Sequence, residues 1–385
     1  MNSRQAESVK GSRHHTSTSK ISHISHQEIE TMMITNISQL LEITIQRQAS
    51  DLHLLADFPP TIRVNGDLIA LPGLSVLDGK EIETLVRPIL SNVHQEQLSR
   101  FLDVDFGLQY KELARFRANV YKQMGTLAAS FRLIPKKLRK LEETGLPANI
   151  AKVTNLKQGL VLVTGPTGQG KTTTLAALID RINNEQNAHI ITIEDPIEFI
   201  YAKSKSLVSQ RELNADTLSW SRALRATLRE DPDVVLIGEM RDLETISAAL
   251  TIAETGHLVF ATLHTNSAAQ TLDRIIDVFP SVQQSQIRSQ LAAVLEVVIS
   301  QRLVPTINPG RALAYEILVA NTATRAIIRE GKTHLIDNLI QTSAESGMVI
   351  LEASLAYLLR EGIISLETAQ NYSFRPQVLS KLLDA

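Results

Sequence analysis

The chain has 385 residues, enough for two domains that each bury a hydrophobic core. Its 43% apolar and 21% charged residues are typical of a globular protein, and a net charge of −2 excludes the bulk basic field that draws proteins to nucleic acid. The absence of cysteine excludes disulfides, cysteine-bound zinc and thiol catalysis, and no apolar run approaches the roughly 20 residues that span a bilayer. We therefore expect a soluble protein with no nucleic-acid partner, which reaches membranes only through other proteins.

Residues 1–30 are predicted to form a disordered extension, because they are polar, rich in Ser, Thr, His and Lys, and show no hydrophobic period. Histidines in this stretch lack the spacing of a defined metal site, so a solvated tail is favoured over metal binding. They are His14, His15, His23 and His26.

Residues 31–135 are predicted to form a smaller α+β domain. Apolar residues at helical spacing indicate a helix over residues 33–48, and Asn65-Gly66 between two apolar runs is a strong hairpin signal. Alternation over residues 115–121 indicates a half-buried strand, which a turn at residues 122–125 returns into residues 126–133. A charged, proline-bracketed segment over residues 136–148 is predicted to link this domain to the next.

Three arginines of this hairpin are predicted to share one face of the sheet. A turn at residues 122–125 makes the numbers of facing residues sum to about 247, which sets Arg115 opposite Arg132 and Arg117 opposite Ser130. Like charges that face each other destabilise a sheet, so the cluster needs an anion. That anion is either a nearby acid or a bound ligand. The nearby acids are Asp103, Asp105 and Glu112.

Residues 149–385 are predicted to form an α/β domain with a mainly parallel sheet. Short apolar strands at residues 160–164, 189–193, 233–237 and 258–262 alternate with helical patterns, which is the rhythm of βαβ units. The chain from about residue 314 is predicted to be helical. Apolar residues mark one face of a helix that stops at Gly362. They are Met348, Leu351, Leu355, Leu358 and Leu359.

Residues 165–172 read GPTGQGKT and fit the phosphate-binding P-loop pattern, with an apolar strand before and a helix after. Backbone N–H groups of such a loop surround phosphate, while Lys171 reaches the β- and γ-phosphates and the Thr172 hydroxyl ligates Mg²⁺. The sequence therefore predicts hydrolysis of ATP with Mg²⁺. The predicted nucleotide-binding residues are Gly165, Pro166, Thr167, Gly168, Gln169, Gly170, Lys171, Thr172 and Thr173.

Titratable residues follow the other strands, at the carboxyl edge where ligands bind to parallel sheets. Glu239 is predicted to bind Mg²⁺ or to order the attacking water. Glu194, Asp195 and Glu198 form a second acidic group, one member of which is predicted to be the general base. A histidine at a strand end is by itself more often structural, but His264 shares this edge with the P-loop, so it is predicted to sense the γ-phosphate by donating a hydrogen bond.

Several motifs resemble those of the secretion ATPase superfamily, and more narrowly its type IV pilus retraction ATPases. TIEDPIEF at residues 192–199 resembles the Asp box, LIGEMRD at residues 236–242 the Walker B motif, and ATLHT at residues 261–265 the His box. The narrower resemblance rests on ASDLHL, LREDPD, AETGHLVF, DRIIDVFP and IREGKTH, and the likeness extends over about residues 34–372.

This resemblance implies a RecA-like ATPase domain, a PAS-like N-terminal domain and a homohexameric ring. It also implies a cytoplasmic motor that docks on the inner-membrane platform protein of a pilus machine and acts on pilins only indirectly, to retract the pilus during twitching motility. Glu198 takes the general-base role by this resemblance. It further implies that Arg115, Arg117 and Arg132 reach the γ-phosphate of a neighbouring subunit.

The chain departs from the family pattern at three places, one of which is the polar extension before residue 30, and leaves alternatives open. Gln169 and Thr172 replace the usual serines of the P-loop, and Thr324 replaces isoleucine in a C-terminal motif linked to retraction. The alternatives are a motor for type IV secretion or pilus assembly, and an accessory retraction subunit with weak turnover. Assembly ATPases usually carry a tetracysteine zinc insertion, so the absence of cysteine counts against assembly.

Overall fold

A computed structural model describes residues 36–64, 66–111, 113–134 and 138–384. Two β-sheets organise this part of the chain, and each packs against its own hydrophobic cores. The extension predicted over residues 1–30 lies outside the described residues. Within them, no helix combines the length and the apolar character needed to cross a membrane.

The N-terminal sheet is antiparallel and has the strand order β3-β2-β1-β6-β5-β4. Its elements are α1 (Ile37–Gln46), β1 (Asp51–Leu54), β2 (Thr61–Val64), β3 (Asp67–Ala70), α2 (Gly79–Val86), α3 (Asn92–Phe101), β4 (Asp103–Tyr110), β5 (Ala114–Gln123) and β6 (Thr126–Ile134). Asn36 begins α1 with a reciprocal capping interaction with Gln39, and α1 buries its apolar face. The predicted first helix and hairpin are both confirmed, by α1 and by the pairing of Val64 on β2 with Asp67 on β3.

The predicted register of the β5–β6 hairpin is wrong. Gln123 lies opposite Thr126, so the turn contains only Met124 and Gly125, with φ angles of 48° and 82°. Two left-handed residues close a hairpin more tightly than the four-residue turn that was predicted. Arg117 therefore faces Arg132, and Arg115 faces Ile134. The offset of two positions preserves parity, so the three arginines still share one face.

The second sheet has the strand order β13-β12-β7-β11-β10-β8-β9 and is parallel except for β13. Its elements are β7 (Gly159–Thr164), α4 (Lys171–Glu185), β8 (His189–Glu194), β9 (Leu207–Glu212), α5 (Trp220–Thr227), β10 (Val234–Ile237), α6 (Leu243–Glu254), β11 (Leu258–Leu263), α7 (Ala268–Asp277), α8 (Ser281–Val294), β12 (Leu295–Pro305) and β13 (Arg311–Val319). The four predicted strands are confirmed as β7, β8, β10 and β11. They form continuous apolar runs because helices cover both of their faces.

The helical C-terminal region begins later than predicted. Residues 314–319 belong to β13, which pairs with β12 and buries Leu313, Ile317 and Leu318. Helices follow as α9 (Thr322–Glu330), α10 (Ile336–Thr342), α11 (Leu351–Arg360), α12 (Leu366–Tyr372) and α13 (Pro376–Asp384). The helix predicted to stop at Gly362 is confirmed as α11.

The segment predicted as a linker over residues 136–148 is described from residue 138 onwards and packs onto the second sheet. It contains a 3₁₀ turn at Leu141–Glu143, and a second one follows at Ala148–Asn155. Leu141 and Leu146 are buried in the core beneath the parallel strands. The charged residues of this stretch therefore lie on a segment whose apolar residues face the ATPase core.

Candidate nucleotide-binding site

The P-loop connects the end of β7 to the beginning of α4. Gly165 has a φ of 142°, and a side-chain Cβ built there would lie 2.5 Å from the Gln301 carbonyl oxygen, so only glycine fits. Gly170 adopts a left-handed conformation immediately before Lys171 begins the helix. Lys171 folds back over the loop and donates hydrogen bonds to the carbonyls of Gly165 (2.8 Å) and Pro166 (2.9 Å). The loop thus directs the helix N-terminus and a buried cation towards one space.

Gln169, one of the departures from the family pattern, ties the P-loop to the neighbouring strand. Its side-chain carbonyl accepts a hydrogen bond from the backbone N–H of Leu303 on β12, at 2.6 Å. Gln301 of the same strand donates to the Thr174 hydroxyl at 2.7 Å. The loop and the first turn of α4 are therefore each held against β12 by a side-chain amide, and the replacement of serine by glutamine at residue 169 supplies one of these two contacts.

A cleft of about 640 Å³ opens over the P-loop and brings most of the predicted site residues together. Its lining includes Thr167, Gly168, Gly170, Lys171, Thr172 and Thr173 of the loop region, the acids Glu194, Asp195, Glu198 and Glu239, and His264, Arg117 and Arg132. The remaining P-loop residues, Gly165, Pro166 and Gln169, lie outside this lining. They contact Lys171 or β12 instead. Arg115 lies outside this lining and contacts Glu212 instead.

Glu239 and His264 form a polar chain between two strand ends and the P-loop. Glu239 Oε1 accepts a hydrogen bond from Arg241 Nε at 2.6 Å and lies 3.3 Å from His264 Nε2. The other ring nitrogen of His264 lies 3.3 Å from the Thr167 hydroxyl. Burial raises the pKa of Glu239, but Arg241 and His264 outweigh burial and hold the pKa below its ordinary value. Glu239 is therefore a carboxylate at neutral pH.

Lys171 is the buried cation of the cleft, and the carboxylates of Glu239 and Glu198 act on its pKa. Lys171 is 8% exposed, and its burial lowers the pKa of the ammonium group, whereas Glu239 and Glu198 act in the opposite direction. Lys171 is thus a buried ammonium group held by two loop carbonyls, which the phosphates of a nucleotide can replace as its partners.

Glu194 and Glu198 occupy different environments, which separates their possible roles. Glu194 is 6% exposed and accepts hydrogen bonds from Thr192 (2.7 Å) and Gln210 (3.3 Å). Burial raises the pKa of Glu194 to about 7. The side chain of Glu198 is 32% exposed in the cleft and lies 4.0 Å from Arg117 Nη1. Glu198 is therefore the carboxylate that a water molecule in the cleft can reach.

Two arginines of the N-terminal sheet, Arg117 and Arg132, line the cleft of their own chain. Arg117 Nε donates to both carboxylate oxygens of Asp105, at 3.0 and 3.2 Å, and Arg132 Nε donates to Asp51 at 2.9 Å. Within one chain, Arg117 and Arg132 lie beside the P-loop that follows them in sequence. The reach to the γ-phosphate of a neighbouring subunit, which the resemblance implies, concerns an assembly of chains and stays a prediction. The arrangement arises because the arginine face of β5 packs on residues 197–212 of the second domain.

The sequence profile described as "Type II/IV secretion system protein" matches residues 128–370. The chain belongs to this family. It is 47% identical over 342 residues to the type IV pilus retraction ATPase PilT of Pseudomonas aeruginosa, covering 89% of this chain and 99% of that one. It is 46% identical over 347 residues to a twitching motility protein of Neisseria gonorrhoeae, covering 89% and 92%. The crystal structure of the pilus retraction motor PilT with bound ADP superposes with a TM-score of 0.84 at 44% identity, covering 90% and 99%. The predicted family and ATPase fold are thereby confirmed.

The structure of this secretion ATPase adds cleft residues that the sequence analysis missed. Arg241 pairs with Glu239, and its only sequence signal was its place in the Walker B motif. Arg139 and Arg311 also line the cleft. Arg139 lies in the segment predicted as a linker, and Arg311 begins a strand that was not predicted. No local pattern marks either of them.

The donor set suits Mg²⁺ that is held mainly by phosphate and water. Within residues 36–384 as described, no group of three or more His, Asp or Glu side chains could hold a metal ion. Thr172 and Glu239, both in the cleft, offer one hydroxyl and one carboxylate. Mg²⁺ retains several waters and binds to one or two protein oxygens plus substrate phosphates in such sites, so these residues fit the ion.

Proposed function

We propose that this protein is the ATPase that retracts type IV pili in twitching motility, and that it works as a ring of six identical subunits. One observation carries the proposal: a single cleft brings Lys171, Glu198, Glu239 and His264 together with two arginines. The chain that contains this cleft matches a pilus retraction ATPase over nearly the full length of both proteins.

Binding of ATP is assigned to the P-loop. Lys171 would exchange its loop carbonyls for the β- and γ-phosphates, while backbone N–H groups at the start of α4 would hold phosphate oxygens. Thr172 and Glu239 would hold Mg²⁺, which neutralises charge on the phosphates when it is bound. His264, fixed between Glu239 and Thr167, is positioned to respond to the γ-phosphate.

Hydrolysis is assigned to Glu198 as the general base, with Arg117 and Arg132 supplying positive charge. A base must be ionised and accessible to water. Glu198 is accessible in the cleft, whereas Glu194 is buried and partly protonated at neutral pH. Arg117 and Arg132 would leave Asp105 and Asp51 to contact phosphate, and a contact of this kind can be worth about 10³-fold or more in turnover.

The ring and the platform protein complete the proposal. The type IV pilus platform in the inner membrane is the expected docking partner, reached from the cytoplasmic side, and pilins are affected only indirectly. A secretion or assembly motor is the second candidate, and an accessory subunit with weak turnover is the third. The accessory alternative is disfavoured because Lys171, Glu198 and Glu239 all face one cleft.

The proposal is tested by three variants and one null strain. Lys171→Ala should lose binding of a fluorescent ADP, because the phosphates lose their main compensating charge. Glu198→Gln and Glu239→Gln should bind it but turn over ATP at least about 10²-fold more slowly. A null strain should keep surface pili and lose twitching. Full turnover in Glu198→Gln would exclude Glu198 as the base, and a null strain bare of pili would indicate an assembly motor.

A further inference from the structure

Glu212, at the end of the edge strand β9, joins the two domains at a buried point. It is 5% exposed, and its Oε1 accepts a hydrogen bond from the Gly107 N–H of the N-terminal sheet at 3.0 Å. Its Oε2 accepts the Ile197 N–H at 3.1 Å and pairs with the Arg115 guanidinium. Arg115 Nε in turn donates to the Ile197 carbonyl at 2.8 Å. We call these four residues the Glu212 clasp.

The clasp holds both backbone groups of the residue that precedes Glu198. Residues 195–206, all of them described, form neither helix nor strand, so no ladder fixes this segment. In the clasp, one carboxylate holds the N–H of Ile197 and one guanidinium holds its C=O. These two directional, charge-assisted bonds fix the peptide units on both sides of the Ile197 Cα and so determine where the next side chain emerges. That side chain is Glu198.

The clasp has little freedom to rearrange. The side chains of Arg115 and Glu212 are 15% and 7% exposed, so removing either partner leaves a buried charge unpaired. A Cβ built at Gly107 would lie 2.7 Å from Glu212 Oε2, so the approach of β4 requires glycine there. Strand β5, which carries Arg115, also carries Arg117, whose Nη1 lies 4.0 Å from the Glu198 carboxylate. The contact of Arg115 with Ile197 and the contact of Arg117 with Glu198 therefore both originate on one face of β5.

We propose that Glu212 and Arg115 are a positioning pair that sets the backbone at Ile197 and thereby aims Glu198 at the attacking water. The inference rests on the proposed function, in which Glu198 is the general base. It assigns Arg115 to positioning rather than to contact with phosphate. Both residues of the pair lie outside the cleft lining, and they act through the backbone of Ile197.

The first test is steady-state kinetics of the full-length Glu212→Gln and Arg115→Lys proteins. Glutamine keeps the shape of Glu212 but presents an N–H to one of its present donors, and lysine cannot hold Glu212 and the Ile197 carbonyl together. We expect kcat to fall about 10- to 100-fold, because small misplacement of a catalytic group costs about that much. The KM for MgATP and the Kd for a fluorescent ADP should change less than about threefold, since the P-loop is untouched.

The matched control is Glu296→Gln, which removes a carboxylate 2.8 Å from Arg325 at a distance from the cleft. It should keep the wild-type kcat. The positioning role would be overturned if Glu212→Gln and Arg115→Lys both kept a kcat within twofold of wild type while Glu198→Gln was inactive. That result would leave the proposed function standing.

The second test separates positioning from a general loss of structure. In the Glu198→Gln background, adding Glu212→Gln should slow the residual turnover less than twofold, because there is no longer a base to aim. A further tenfold loss there would show that the clasp supports the domain as a whole and would overturn its positioning role. If Glu212→Gln fails to fold, Arg115→Lys carries the same comparison, since it keeps a positive charge beside Glu212. Wild-type turnover in Glu198→Gln alone would instead exclude Glu198 as the base, and the positioning role would fall with it.

Discussion

Glu316 lies in a buried acidic cluster of the C-terminal region, and its replacement by glutamine should flatten the pH dependence of stability. Its Oε1 accepts the Ala268 N–H at 2.8 Å, and its Oε2 lies 3.4 Å from Arg375 Nη2. Arg375 is shared with Glu352 (2.9 Å) and Asp337 (3.3 Å), so three carboxylates face one guanidinium. Burial raises the pKa of Glu316 to about 7, with the like charges of Asp337 and Glu352 acting in the same direction.

The sign and size follow from the pKa in each state. Glu316 has a pKa of about 7 in the folded chain and 4.5 as a free glutamate, so the folded state binds its proton more tightly. Its contribution to stability is fully present below pH 4.5 and is lost as the pH rises through about 7. At about 1.4 kcal/mol for each tenfold change in proton affinity, the loss between pH 5 and 8 is roughly 2–3 kcal/mol. For a domain of this size that corresponds to a fall in Tm of very roughly 5–10 °C.

Differential scanning fluorimetry at fixed protein concentration between pH 5 and 8 measures this effect. Glu316→Gln keeps an oxygen for the Ala268 N–H and leaves Arg375 paired with Glu352, so the variant should fold and be more stable than wild type at pH 8. Its Tm should fall less across this range than that of the wild type, although Glu194, whose pKa is also about 7, still contributes. Glu361→Gln, on the exposed end of the same helical region, is the control. Equal slopes in wild type and Glu316→Gln would refute the reasoning.

Two further predictions concern the P-loop and the arginines. Gly165→Ala should weaken the binding of fluorescent ADP more than tenfold, and more than Gly168→Ala does. The new methyl group at residue 165 would lie 2.5 Å from a backbone oxygen, whereas the one at residue 168 would meet no atom within 4 Å. Equal losses of affinity in the two variants would contradict the steric argument. Mixtures of Arg132→Ala and Glu198→Gln subunits should regain no ATPase activity beyond the sum of the two, since both groups line the cleft of one chain. Recovered activity in proven mixed rings would instead show that the arginines act on a neighbouring subunit.

The parts of the fold that sequence could predict are those with a local signal. β7, β8, β10 and β11 are buried on both faces and therefore read as uninterrupted apolar runs. β12 and β13 were missed because each mixes polar or charged residues with apolar ones, including Gln301 and Glu316, which are buried only through partners distant in sequence. The β5–β6 register was wrong for a similar reason, since turn length depends on two left-handed residues that composition did not single out.

The same distinction applies to the site. The P-loop, Glu239 and His264 follow predicted strands, and parallel strands deliver their carboxyl ends to one edge, so their convergence was predictable. The place of Arg117 and Arg132 in this chain's cleft was not, because it depends on how the two sheets meet. That contact rests on Arg115 and Glu212, which are 97 residues apart and carry no motif. The sequence pattern thus indicated which residue types are present, and the contact between the domains determines which of them line the cleft of the chain.

The domain contact also bears on how a motor of this kind would couple hydrolysis to movement. Arg117 and the Glu212 clasp both connect β5 to the segment that carries Glu198, one through a side chain at 4.0 Å and the other through the Ile197 peptide. Any rotation of the N-terminal sheet away from the second sheet must break both contacts together, since they lie on one strand face. It would also leave Glu212, now 5% exposed, without its partner. With Glu198 as the proposed base, the contacts that would align it are also contacts between the two domains, so we expect hydrolysis and the separation of the domains to be coupled through β5.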